Sequence, residues 1–151
     1  DWVKSLSCTV AFDLYCGTGT LSLLLAPYVQ KVYGVELSEE AILDAKVNQG
    51  QNRISNVSFF ASDVGHFLQR NKATPDLIVV DPPRAGLAKN VRRDIKKRRP
   101  AYLIYVSCDP MTLARDIEDL REFYLLEDVI MVDEFPNTYH VECLCLLKRK
   151  E

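Results

Sequence analysis

The sequence predicts an α/β domain with a mostly parallel seven-stranded sheet, helices on both faces and a closing antiparallel hairpin. Short apolar runs alternate with helix-like segments along nearly the whole chain, as in parallel sheets whose strands are joined by helical crossovers. Only residues 134–139 separate the last two runs, too few for a crossover helix, so this pair predicts a hairpin. With 48% hydrophobic residues, the chain can bury one sizeable core, and we expect residues 1–151 to form a single domain.

Each element follows from a local pattern. Strands are predicted where β-branched and aromatic residues form short apolar runs, and helices where the apolar spacing lengthens and capping residues precede it. Ser38 is a suitable N-cap for the second helix, and Asp109 followed by Pro110 suits the start of the last one. The predicted strands are 10–15, 31–36, 57–61, 77–80, 103–107, 125–133 and 140–148. The predicted helices are 20–28, 38–48, 64–71, 90–98 and 111–123.

Composition narrows the functional class. The net charge of −2 is not that of a general nucleic-acid binder, and the longest apolar stretch is far too short to cross a bilayer. The five cysteines form no CxxC pair and only two histidines are present, so we expect no metal site. An odd cysteine count without an export signal predicts reduced thiols and a cytoplasmic protein.

The carboxyl ends of the first three strands carry residues suited to a nucleoside ligand. Gly17 and Gly19 follow strand one and allow a tight turn with close backbone approach, although a lone G-x-G is a weak signal. Glu36 ends strand two, at close to the ~20-residue spacing of an acid that binds ribose hydroxyls. Asp63, after strand three, would accept from an adenine amino group. Each acid alone is also explained as a solvated strand end or a helix cap, but the combination favours an adenosine-type ligand.

Strand four ends in a stiff loop, Asp81-Pro82-Pro83-Arg84, because two prolines fix the backbone and remove two donors. Such a loop would present Asp81 and Arg84 at the rim of the sheet as a positioned site. A purely structural proline turn is the alternative.

Cys108 lies between the end of strand five and the start of a helix. The partial positive charge of a helix N-terminus favours thiolate over thiol, which makes Cys108 a candidate nucleophile. Cys16, Cys143 and Cys145 are interpreted as packing residues. The basic stretch 84–99 has two interpretations, a solvated helix face or a phosphate-contacting surface.

Four motifs give the chain a resemblance to the RNA uracil-5-methyltransferase family. They are DLYCGTG (13–19), DPPRAG (81–86), VSCDP (106–110) and FPNTYHVE (135–142), and they occur in the family's order. The resemblance implies the Rossmann-like class I methyltransferase fold, S-adenosyl-L-methionine as cofactor, and methylation at C5 of a uridine in tRNA or rRNA through a covalent bond between cysteine and C6.

The same resemblance implies roles for individual residues. Cys108 would be the nucleophile, and Glu142 the base that removes the C5 proton. Arg84 would hold the flipped uridine or order its loop, with Asp81 beside it. The implied cofactor-binding residues are Tyr15, Gly17, Gly19, Thr20, Glu36, Asp63 and Asp81.

The chain departs from the family pattern in two ways. Asp109 stands where Asn is common, and a carboxylate there should oppose thiolate formation unless it is occupied as a helix cap. Family members also carry an amino-terminal RNA-binding barrel and a central domain, which are absent here. Two alternatives therefore stay open. One is a cofactor-binding domain that is inactive alone. The other is a methyltransferase for an exocyclic amine, which Arg84 after Asp-Pro-Pro disfavours.

Overall fold

Seven strands form one mixed sheet in the computed structural model, which describes residues 2–132 and 142–151. The strands are β1 (Val10–Leu14), β2 (Lys31–Glu36), β3 (Val57–Ala61), β4 (Leu77–Val80), β5 (Tyr102–Ser107), β6 (Tyr124–Val132) and β7 (Glu142–Arg149). The helices are α1 (Trp2–Ser5), α2 (Thr20–Leu25), α3 (Glu39–Gln51), α4 (Val64–Arg70), α5 (Lys89–Arg98) and α6 (Pro110–Leu120).

The strand order across the sheet is β3-β2-β1-β4-β5-β7-β6. The first five strands of the chain pair in parallel, whereas β7 runs antiparallel to both β5 and β6. The order reverses between β1 and β4, and open α/β sheets bind ligands beyond the carboxyl ends of the strands at such a reversal. The predicted α/β class, parallel sheet and closing antiparallel pair are confirmed.

Apolar residues on both faces of the sheet are buried, which is why β1 and β4 are nearly continuous hydrophobic runs. On one face, Phe12 and Tyr105 belong to a core cluster that also contains Phe67 of α4 and Leu113 of α6. On the other face, a second cluster joins the sheet to α2 and α3. The helices therefore fix the sheet from both sides and leave its carboxyl edge as the place where loops meet.

The predicted bounds differ from the structure by three residues or fewer. The predicted helix 20–28 ends at Leu25 and continues as a 3₁₀ turn, Ala26–Tyr28, with a proline near its start. Strand one stops at Leu14 because Tyr15 adopts a left-handed backbone conformation with φ 67°. The short helix α1 had no prediction. The predicted start of the last strand at His140 lies outside the described residues, as does most of the motif 135–142.

Among the described residues, no helix combines the length and apolar character needed to span a bilayer.

Candidate active site at the carboxyl edge of the sheet

The glycine loop after β1 is shaped by left-handed backbone conformations. Tyr15, Gly17 and Gly19 have φ values of 67°, 52° and 85°. At Gly19 a side chain is also excluded by space, since a Cβ there would lie 2.6 Å from Cζ of Phe59. The loop closes on itself because the Gly19 amide donates to the Cys16 carbonyl at 2.9 Å. The backbone therefore turns tightly at the point where the sequence predicts close approach of a ligand.

Glu36 joins this loop to the next crossover. Its carboxylate accepts from the Gly17 amide at 3.2 Å through one oxygen and from the Ser38 amide at 3.0 Å through the other. Ser38 in turn caps α3 by accepting from the Ala41 amide at 3.2 Å, as the sequence predicts. A carboxylate has about four acceptor positions, so the half-buried Glu36 keeps capacity for hydroxyl donors.

Asp63 and Thr20 lie at the same edge, but with different surroundings. Asp63 is exposed and caps α4, with Oδ1 accepting from the His66 amide at 2.9 Å. The helix-cap explanation is thus correct for one of its oxygens. Thr20 is exposed at the first position of α2. Burial first and the nearby Asp63 carboxylate second raise the pKa of Tyr15 to about 12, which places Asp63 within electrostatic range of the loop.

Asp81 follows β4, and its amide donates to the Leu14 carbonyl at 3.3 Å. Its side chain keeps exposed surface, yet partial desolvation and the Glu142 carboxylate together raise its pKa. Within the same loop Pro82 is buried, while Pro83 and Arg84 are exposed. The loop with the two prolines therefore presents the Asp81 carboxylate and the Arg84 guanidinium at the rim of the sheet.

Cys108 is half-buried between β5 and α6, so its thiol is not sealed in the core. Asp109 is the N-cap of α6, and its Oδ1 accepts from the Thr112 and Met111 amides, both at 3.0 Å. These bonds, with a smaller contribution from the Arg84 guanidinium, lower the pKa of Asp109. The sequence predicts that a carboxylate at position 109 opposes thiolate formation unless it caps a helix, and Asp109 does cap α6.

Glu142 enters the same edge through the sheet register. β5 and β7 are antiparallel, and their last recorded pair is Ser107 with Cys143. One step further along this register sets Glu142 opposite Cys108. The influence of Glu142 on the pKa of Asp81 places its carboxylate near the proline loop as well. Three predicted residues, Cys108, Glu142 and Asp81, are therefore brought together at one edge.

The other four cysteines are buried or lie away from this edge. Burial raises the pKa of Cys16 to about 12 and that of Cys145 to about 11, and Cys143 is buried and shifted in the same direction. Cys8 is half-buried far along the sheet from this edge, next to Asp76, and its pKa is raised to about 11. The interpretation of Cys16, Cys143 and Cys145 as packing residues agrees with their burial.

Asp13 is a residue that sequence reasoning missed. It lies inside β1, is fully buried, and accepts from the Ser22 hydroxyl at 2.6 Å through Oδ2. Its other oxygen, Oδ1, has no hydrogen-bond partner among residues 2–132 and 142–151. Burial first, and the Asp81 carboxylate to a smaller extent, raise its pKa to about 6 despite the Ser22 bond. The available signal was a carboxylate within an apolar strand, directly before the glycine loop.

Part of the basic stretch is used within the protein, whereas five of its cations are exposed: Arg84, Lys89, Arg93, Lys97 and Arg99. Arg92 is buried and pairs with Asp116 and Asp119, and Lys96 pairs with Asp119. Arg98 donates to three backbone carbonyls, those of Leu68, Asn71 and Ala73. These contacts fasten α5 to its neighbours. For the exposed cations, the solvated helix face and the phosphate-contacting surface both stay predictions.

No cluster of three or more His, Cys, Asp or Glu side chains able to hold a metal ion occurs in the part of the chain that the structure describes.

Comparison with known proteins assigns the chain to a family. The family model described as tRNA (Uracil-5-)-methyltransferase matches residues 3–150. The chain belongs to this family. Its relatives include an RNA methyltransferase of Caldanaerobacter subterraneus, 43% identical over 150 residues that are 99% of this chain and 33% of that protein. The 23S rRNA (uracil(747)-C(5))-methyltransferase RlmC of Vibrio vulnificus is 39% identical over 99% of this chain and 40% of its own length.

Solved structures agree with this assignment. The tRNA (uracil-54, C5)-methyltransferase of Pyrococcus abyssi, in complex with S-adenosyl-L-homocysteine, matches with a TM-score of 0.85 and 31% identity, over 97% of this chain and 36% of that one. The N-methyltransferase NodS of Bradyrhizobium japonicum matches in fold alone, with a TM-score of 0.77 and 19% identity over 99% of this chain and 83% of that one. The Rossmann-like methyltransferase fold and the family predicted from the four motifs are confirmed. The chain spans about a third of the length of curated relatives such as the Caldanaerobacter protein.

Proposed function

We propose that this chain is the catalytic domain of an RNA uridine C5-methyltransferase that uses S-adenosyl-L-methionine. The observation that carries the proposal is the half-buried Cys108 at the carboxyl edge of the sheet, beside the N-terminus of α6 and directly after Ser107, whose partner in β7 is Cys143, the neighbour of Glu142. Membership of the family and the likeness to a uracil C5-methyltransferase solved with S-adenosyl-L-homocysteine support it. The chain spans about a third of the length of its relatives, so the activity is proposed for this domain.

The cofactor fits the residues at β1, β2 and β3. Gly17 and Gly19 would bring backbone against it, Glu36 would accept from the ribose hydroxyls, and Asp63 would accept from the adenine amino group through its uncapped oxygen. The exposed Thr20 and the half-buried Tyr15 would border it, and Asp81 would face its methyl-bearing end. Bound S-adenosyl-L-methionine supplies an electrophilic methyl group.

The chemistry explains why a thiol and a carboxylate share this edge. Uracil C5 is a weak nucleophile, and addition of the Cys108 thiolate to C6 moves electron density onto C5, which then takes the methyl group. Glu142 removes the proton from C5, the C5–C6 double bond re-forms, and the ring expels Cys108 as a thiolate. Covalent catalysis of this kind divides one difficult substitution into easier steps.

The surroundings of Cys108 favour its role. The first turn of α6 places partial positive charge beside the thiol, and the Asp109 carboxylate is occupied by hydrogen bonds from two helix amides. Arg84, in the adjacent loop, would hold the uridine or order the loop around it. Because a stacked base cannot reach the rim of a sheet, we expect the target uridine to be flipped out or to lie in an RNA loop.

The proposal is tested by trapping the covalent intermediate. RNA that contains 5-fluorouridine carries fluorine where the departing C5 proton would be, so the adduct with Cys108 should persist on a denaturing gel in the presence of the cofactor. Cys108→Ala should give no adduct and no methyl transfer, while its affinity for S-adenosyl-L-homocysteine by calorimetry stays within about twofold of wild type. Cys8→Ala is the matched control, because Cys8 is also half-buried but lies away from this edge.

Glu142→Gln separates the two chemical steps. With ordinary uridine RNA and cofactor it should accumulate the adduct, because addition and methyl transfer proceed while proton removal fails. An active Cys108→Ala protein would refute the nucleophile, and a Glu142→Gln protein that turns over at the wild-type rate would refute the base. Nucleoside analysis after labelled methyl transfer to tRNA and to rRNA identifies the substrate class.

A further inference from the structure

Asp116 is a buried charge on α6 that the proposed chemistry does not use. Its side chain is fully buried. Through Oδ2 it accepts from the Leu87 amide and from the Tyr105 hydroxyl, both at 2.7 Å. Through Oδ1 it accepts from Nη1 of Arg92 at 2.9 Å and from Nη2 of Arg115 at 2.8 Å. These partners belong to the proline loop, β5, α5 and α6, so Asp116 connects all four.

The residues around Asp116 hold the backbone of the proline loop. The Thr112 hydroxyl donates to the Arg84 carbonyl at 3.0 Å, and Nη2 of Arg115 donates to the Ala85 carbonyl at 2.9 Å. Beyond Ala85, the Leu87 amide donates to Asp116 and the Leu87 carbonyl accepts from Arg92. The loop that carries Arg84 is thus fastened to α6 along its backbone, not by the Arg84 side chain alone.

Gly86 shows how closely this loop lies on the carboxylate. It has a φ of 73°, and a Cβ at this position would lie 2.5 Å from Oδ2 of Asp116 and 2.7 Å from Nη2 of Arg115. The loop also turns on itself here, because the Gly86 amide donates to the Pro83 carbonyl at 2.8 Å. A side chain at position 86 would push the loop away from α6.

The geometry points to Asp116 as the residue that positions the Arg84 loop relative to Cys108, an inference that rests on the proposed function. The helix that holds the loop begins at Pro110, two residues after Cys108, and Asp116 lies about two turns, or roughly 10 Å, further along it. One rigid helix therefore carries the nucleophile at its amino end and fixes the substrate-side loop along its side. The same contacts use Arg92, which explains why part of the basic stretch is buried.

The cofactor half of the edge does not share these contacts. Gly17 is held by Glu36, and Gly19 by Cys16, with no bond from either to α6 among those described. Loosening the Asp116 cluster should accordingly disturb the uridine and spare the cofactor. This separation distinguishes positioning of the loop from a general loss of structure.

Two variants test the inference. Asp116→Asn keeps the shape of the side chain but removes the charge that faces Arg92 and Arg115, and a buried guanidinium without its partner can prevent folding. Arg115→Met is the safer variant, because the Arg115 side chain is about half exposed (51%) and its loss removes the bond to the Ala85 carbonyl. Arg121→Met is the matched control, since the exposed Arg121 follows the last residue of α6 and pairs with Glu118.

Three readouts are measured on each protein. The first is the rate of adduct formation with 5-fluorouridine RNA over a range of RNA concentrations, the second is affinity for S-adenosyl-L-homocysteine, and the third is amide hydrogen exchange of residues 84–87. For Arg115→Met we expect a maximal adduct rate at least tenfold below wild type, cofactor affinity within twofold, and faster exchange at 84–87. Arg115→Lys, which retains a donor, should recover part of the rate, and Arg121→Met should match wild type.

The outcomes separate this inference from the proposed function. A wild-type protein that forms no adduct overturns the proposed function and, with it, a substrate role for the loop. A wild-type adduct with an unchanged maximal rate in Arg115→Met overturns the positioning role alone. Parallel loss of cofactor affinity and adduct rate in Arg115→Met also overturns it, because the change would then act on the whole fold.

Discussion

Replacing the buried Asp13 by Asn should remove a specific loss of stability that the protein undergoes as the pH rises from 4 to 7. Asp13 is fully buried, and its Oδ2 accepts from the Ser22 hydroxyl at 2.6 Å. Its second oxygen lacks a partner within the described residues. Burial therefore disfavours the carboxylate and raises the pKa of Asp13 from 3.8 to about 6.

The sign and the size follow from proton linkage. Between pH 3.8 and about 6 the folded protein retains a proton on Asp13 that the unfolded chain has released, so the free energy of unfolding falls as the pH rises. A displacement of roughly two pKa units corresponds to about 3 kcal/mol of stability, which is fully present below pH 4 and fully lost above about pH 6. For a small domain, about 3 kcal/mol is a substantial part of the total stability.

The assay is urea unfolding of wild type and Asp13→Asn at half-unit intervals from pH 4 to pH 7.5. Any cost of placing the Asn amide in the site does not depend on pH, so it shifts the difference curve without changing its slope. We expect the stability of Asp13→Asn relative to wild type to improve by about 3 kcal/mol over this range. Asp44→Asn, at an exposed position on α3, is the control variant measured in parallel. A flat curve for Asp13→Asn would refute the reasoning.

The remaining predictions concern the cofactor loop and the basic helix. Glu36→Gln should raise the Kd for S-adenosyl-L-homocysteine about tenfold or more, because its NH2 group would face one of the two backbone amides that now donate to the carboxylate; an unchanged Kd by calorimetry would contradict this. Gly19→Ala should lower stability by about 1–3 kcal/mol and weaken the same affinity, because the new methyl meets the Phe59 ring, and thermal unfolding at the wild-type temperature would count against it. Arg98→Met should lower stability by about 3 kcal/mol in urea unfolding, since three carbonyls lose a donor, whereas the exposed Lys97→Met should change it by less than about 0.5 kcal/mol.

The features predictable from the sequence are those set by neighbours in the chain. Ser38 and Asp109 were predicted as N-caps and accept the amides expected of them, because a cap depends on the few residues that follow it. Alternating apolar strands and helices predicted the parallel sheet, and the missing crossover predicted the antiparallel end. Since parallel strands share one carboxyl edge, the positions of Cys108, Glu36 and Asp81 at that edge followed as well.

The features that escaped prediction depend on residues distant in sequence. The sequence predicts Arg92 as part of a charged stretch. Its partner Asp116 lies on the next helix, and no local sequence pattern indicates that the two form a pair. In the sequence, Asp13 is only the first residue of the motif 13–19, and it is the packing of the folded chain that shows its carboxyl group to be desolvated. The pairing of Glu142 with Cys108 needed the strand register, which is set by the two strands together.

The two halves of the site edge are held by different kinds of interaction, and this has a functional consequence. Gly17 and the cofactor side are fixed by backbone conformation and by the Glu36 carboxylate, whereas the Arg84 side is fixed by a buried charge cluster around Asp116. Interactions in separate networks contribute nearly independently to free energy. Cofactor binding and the reactivity of Cys108 toward uridine should therefore respond to different substitutions, so a protein that binds cofactor normally can still fail at the covalent step.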